Sequence, residues 1–153
     1  MARLQRAVEG AVRVGDETRD RLNLIRKALR ETPGADAAVI RRADELTARL
    51  HAVMADLRGD PIYGKYEEPA PPSIRERVSN IVGSQWRVTS PPTRVQRDGY
   101  NHAADAFEKT LADLRALVER DLKELESTLE RIEAPWTPGR IPVWKKEADE
   151  SAS

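Results

Sequence analysis

The chain has 153 residues, 34% charged and 5% aromatic, with 26 basic side chains against 26 acidic ones. That length suits one domain with a sizeable core, and much charge with few aromatics suits a helical bundle rich in surface. Zero net charge and no basic stripe leave nothing to neutralise phosphates, which argues against a nucleic-acid partner. The absence of cysteine excludes disulfides, thiolate zinc sites and a cysteine nucleophile. No apolar run approaches about 18 residues, so no membrane span is expected. The opening MARLQRAVEGAVRVGDE lacks the apolar core of a signal peptide. A chain that starts directly in an amphipathic pattern is expected to be a piece of a longer protein.

Leu4, Val8, Ala11, Gly15, Thr18, Leu22, Ile25 and Leu29 recur at helical spacing and predict a first helix over about 4–30. Gly10, Gly15 and Thr18 stand where large side chains would sit. That half of the helix is expected to be weakly held, the alternative being a close helix approach. Pro33-Gly34 turns the chain. After Asp36 as N-cap, Val39, Ala43, Leu46, Leu50, Val53 and Leu57 predict a second helix over about 37–58. So short a connection makes the two an antiparallel hairpin.

Residues 59–72, GDPIYGKYEEPAPP, read as a loop, ordered or partly extended. Ser73 and Glu76 form a capping box that opens a short helix over about 73–82, with Ile74, Val78, Ile81 and Val82 as its apolar face and Gly83 as its stop. Gln85, Trp86 and Val88 lead through an extended link to Ser90. Ser90 as N-cap and Pro91 at the first helical position then open a long helix over about 91–133. Its stripe is Phe107, Leu111, Leu114, Val118, Leu122, Leu125, Leu129 and Ile132. Two successive gaps of four between Leu114 and Leu122 are a stutter, so the stripe should drift around the helix. Gly99 is its weak point. Asp105–Lys109 and Glu119–Lys123 are favourable acid-then-base pairs.

Residues 134–147 hold Pro135, Pro138, Gly139 and Pro142, which exclude helix and favour a polyproline-like tail with a turn. Trp136, Ile141, Val143 and Trp144 make it apolar enough to be expected to pack on the bundle. Residues 148–153 are polar and expected to be disordered. The fold expected is all-α: an elongated antiparallel three-helix bundle in one domain, 1–147, with one short extra helix and a proline-rich extended tail.

Little in the chain points to chemistry. His51 and His102 lack the partners of a two-histidine metal site and read as surface residues. The carboxylates sit mainly away from the apolar stripes, and no pair marks itself as a glycosidase acid and base. Ser73 and Ser90 are accounted for by capping. Neither a phosphate loop nor a hydrolase or zinc-protease motif is present. No catalytic, cofactor or metal residue is therefore named, and no cofactor is expected. The aromatics Tyr63, Tyr66, Trp86, Trp136 and Trp144 lie in the irregular segments. Either they staple those segments to the bundle, which the neighbouring Ile62, Ile141 and Val143 favour, or they form a surface for carbohydrate or a protein partner.

The segments PAPPSIRERVSNIVGSQWRVTSPPT and APWTPGRIPVW, on either side of the long helix, resemble the C-terminal helical region of bacterial sortilin-like, BNR-repeat β-propeller proteins, often labelled glycosyl-hydrolase-like. The resemblance covers most of residues 15–144. It implies an accessory helical domain, not an enzyme, that docks or assembles with the preceding propeller domains of an exported protein outside the cytoplasm. The propeller itself is absent, so no family catalytic residue transfers. A carbohydrate- or partner-binding module using the loop tryptophans is the alternative, and a small hydrolytic or metal-bound enzyme a third reading.

Overall fold

The computed structural model describes residues 2–60, 71–86, 91–135 and the three positions Ile141, Val143 and Trp144. The described chain is all-α. Its elements are α1 (Ala2–Glu31), α2 (Ala37–Arg58), α3 (Ile74–Trp86), α4 (Arg94–Ala116) and α5 (Leu122–Arg131), with one π turn (Leu117–Asp121) joining α4 to α5. Every position of the first predicted stripe, from Leu4 to Leu29, is buried, as are Ala43, Leu46, Leu50, Val53 and Leu57 of the second. The Asp36 side chain caps α2 by accepting from the Ala38 amide at 2.9 Å. Gly34 (φ 75°) and Gly59 (φ 88°) occupy the left-handed backbone that ends each helix, where a side chain would be strained.

Side-chain contacts fix the directions of the helices. Arg26 reaches Asp44 at 3.0 Å and Arg58 reaches Asp16 at 2.8 Å, so α1 and α2 run antiparallel. Gln96 donates to the Ser84 hydroxyl at 3.2 Å and Gly99 lies against Ile81, so α3 and α4 also run antiparallel. Arg75 makes a two-pronged contact with Glu9 at 2.7 and 2.9 Å, which places the start of α3 on the N-terminal half of α1. These exposed pairs are worth at most about 1 kcal/mol each. The weight lies in one continuous core that includes Val8, Leu22, Ile25, Leu46, Leu57, Leu117 and Leu129, each almost wholly removed from water.

Three expectations about helix packing and helix ends are corrected. The N-terminal half of α1 is not loose: Val8 is 1% exposed, and α3 covers this end of the helix. Gly15 is buried against the Met54 thioether, so this glycine serves a close approach of α1 and α2, whereas Gly10 is exposed with open space around it. Gly15→Ala should cost about 1–3 kcal/mol through overpacking. Adding Met54→Ala should recover part of that loss, a non-additivity that a double-mutant cycle would read.

Second, α3 does not stop at Gly83 but continues to Trp86. Contacts of Ile81 and Ser84 with the first turns of α4 outweigh the roughly 1 kcal/mol that an exposed glycine costs a helix. Third, the long helix starts at Arg94, capped by Thr93 rather than Ser90. The Gln96 amide donates to the Thr93 hydroxyl at 3.3 Å and the Thr93 amide donates to Gln96 Oε1 at 2.9 Å, a complete capping box. Pro92 also disfavours helical backbone at Pro91. Ser90 itself lies outside the described residues.

At the other end, the Ala134 amide donates to the Leu129 carbonyl at 3.0 Å and the Glu133 amide to that of Glu130 at 3.1 Å. This Schellman closure puts Glu133 at φ 53°, a position that favours glycine. Glu133→Gly should therefore raise stability by up to about 1 kcal/mol, readable as a higher urea midpoint at constant m. Beyond it, Ile141 is 91% exposed, Val143 92% and Trp144 80%. Of the expected tail docking, these three positions show the opposite: their side chains face water.

Candidate functional site

The five aromatics singled out in the sequence are not gathered into one described surface. Tyr63, Tyr66 and Trp136 lie outside the described residues. Trp86 is the last residue of α3, whose final turn lies beside the first turn of α4, whereas the tail bearing Trp144 leaves from the far end of α5. The whole length of α4 and α5, roughly 55 Å at 1.5 Å per residue, separates those two backbone points. Trp144, with Ile141 and Val143, is the exposed apolar feature of the tail.

A group that sequence reasoning did not find sits at the π turn. Asp121 is only 3% exposed, although it is charged and lies on the longest helix. Its carboxylate accepts from Arg49 of α2 at 2.6 Å, from the neighbouring Arg120 Nε at 2.9 Å and from Arg42 of α2 at 3.5 Å. Hydrogen bonding from Arg120, joined by Arg49, holds the acid down at about 2 despite the opposing effect of burial. An acid held so low stays ionised and cannot deliver a proton near neutral pH, so Asp121 has the chemistry of a structural anion and not of a general acid. A second carboxylate, Glu126, is 9% exposed and forms a direct ion pair with Arg21 of α1.

The presence of Asp121 inside follows from local geometry. In α4 the buried positions are Ala103, Phe107, Thr110 and Leu114; in α5 they are Leu122, Leu125, Glu126 and Leu129. Leu114 to Leu122 is eight steps, where two α turns supply about seven. The surplus is absorbed in one wide turn, not as drift along the helix. That turn brings Leu117 fully inward and Asp121 with it, while Val118 is left half-buried. The signal available in the sequence was the stutter itself, together with Arg42 and Arg49, seven apart and so on one face of α2.

A shallow groove of about 670 Å³ lies between the end of α2, the start of α3 and the middle of α4. Asp56, Arg77, His102, Lys109 and Asp113 rim it over an apolar floor that includes Ile74 and Ala106. Its buried hydroxyls are already engaged: Thr110 donates to the Ala106 carbonyl at 3.1 Å and Ser73 to Glu76 at 3.0 Å. The rim offers solvated charge of both signs, and the Ser73 hydroxyl is held within the capping box of α3. His51 and His102 are exposed, and the described residues contain no group of three or more histidines and acids placed to hold a metal ion. No described helix is long and apolar enough to cross a membrane. Comparison with protein-family models, with curated proteins and with solved structures found no match.

Proposed function

We propose that the chain is a non-catalytic accessory domain: a three-rod antiparallel bundle, with α2 and α3 end to end as the broken middle rod, that docks or assembles with a protein partner. In this reading the partner is the propeller portion of an exported sortilin-like protein, as the PPSI, TSPPT and PWTPGR segments suggest. The supporting observation is that the described positions near the end of the tail stand clear of the core. Ile141, Val143 and Trp144 are left in water, and an exposed apolar strip carrying a tryptophan is the kind of surface that partners bury. Nothing in the reading requires a cofactor.

The test is to read the frame upstream of Met1 and, if it encodes a propeller, to titrate that propeller as a separate protein against the present chain. Binding that drops at least about tenfold on Trp144→Ala, a hot-spot-sized loss, supports the proposal. No binding by the parent chain refutes it. The exposure of Trp144 equally suits a carbohydrate-binding module, in which an indole face stacks on a sugar ring. Soluble oligosaccharides that quench the tryptophan fluorescence of the parent but not of Trp144→Ala would favour that second reading.

A further inference from the structure

The sequence offers the long helix a second, simpler arrangement. From Phe107 to Ile132 its apolar stripe averages about 3.6 residues per step, so a straight α-helix could face every one of those side chains inward without a π turn. The observed register does something else. Leu111, Val118 and Ile132 are only partly buried, while Leu117, Asp121 and Glu126 turn inward. Two carboxylates thus enter an otherwise apolar seam. Each meets arginine from another helix: Asp121 meets Arg49 and Arg42 of α2, and Glu126 meets Arg21 of α1. Apolar residues in such places are often as stabilising as the ion pair, and the best-attested use of a buried polar group is to choose one register over another.

We propose that residues 117–132 have two registers, the π-turn register of this structure and a straight α-helix, and that the Asp121–Arg49 and Glu126–Arg21 pairs are the locks that hold the first. Unwinding the π turn advances α5 by one residue, a roll of about 100°. The roll exchanges Leu117 for Val118 in the core and re-aims Ala134, where the tail leaves the bundle. Through the locks, the direction of the tail is tied to the charge state of the seam. This device stands whether the tail meets a protein or a sugar.

Because the chain has no cysteine, single cysteines at 117 and 118 report the register through their rates of maleimide labelling. With the locks intact, Val118→Cys should label at least about tenfold faster than Leu117→Cys, since labelling of the latter requires opening of a protected site. In the background D121N and E126Q, the two rates should converge or invert, with helicity by circular dichroism unchanged. A ratio that stays put in that folded background overturns the proposal. Should the doubly neutral variant fail to fold, the single variants D121N and E126Q carry the same test, each expected to narrow the labelling ratio. A ratio unchanged in both folded single variants refutes the second register.

Discussion

Leu117→Ala is expected to lower the free energy of unfolding by about 2–5 kcal/mol, the range for leucine truncated in a packed interior. Val118→Ala should cost no more than about 1 kcal/mol. The contrast follows from the π turn. Leu117 is wholly removed from water, among the largest side chains so buried, whereas Val118 is half-buried at the edge of the core. A straight helix in the register of the sequence stripe predicts the reverse order, because Val118 belongs to that stripe and Leu117 does not. Urea unfolding of the two variants at constant m decides between them. An equal or inverted pair of costs would remove the π turn from the account of this fold.

The same residues show how much was legible beforehand. In α1 and α2 the apolar spacing names the buried face correctly at almost every step, because each helix packs in one phase along its length. Leu50 and Leu114 are both buried as their stripes require, each at 2% exposure. Ends were less legible. Thr93-Arg94-Val95-Gln96 was as good a capping box as Ser73 and Glu76, but the preceding Ser90-Pro91 pair also satisfied the rules for a start. The contact between Gln96 and Ser84 places the box inside the fold.

The long helix was legible as a helix and as a stutter, but not in how the stutter is resolved. Drift and a single wide turn satisfy the sequence equally. Tertiary partners on α2, Arg42 and Arg49, favour the wide turn by giving Asp121 a buried place. Composition could not find that acid, because a carboxylate surrounded by charge in the sequence reads as solvated surface. The expected packing of the tail fails at its three described positions: apolar residues make burial favourable in general, yet Ile141, Val143 and Trp144 face water, while Ala134 at the root of the tail is buried.

Asp121→Asn is expected to cost about 1–3 kcal/mol at neutral pH. Removing one partner of a deeply buried pair can cost about 3–5 kcal/mol. Here the arginines left behind are 41–65% exposed and water can solvate them, which lowers the figure. The dependence on pH tests whether the cost comes from charge. The folded carboxylate is held at about 2, below the ordinary carboxylate value of roughly 3.9 that it regains on unfolding. A lowered value means that the unfolded state takes up the proton first as acid is added. The contribution of Asp121 is therefore complete above the unfolded value and is lost as the pH falls through the folded one. The stability gap between parent and variant should be flat from about pH 5 to 8, shrink below about pH 4 and be largely gone near pH 2. Denaturant titrations of both proteins across that range would show it. A gap that persists undiminished at pH 2 would mean that the side chain acts through shape and hydrogen bonding, and that its charge is not what holds the π turn.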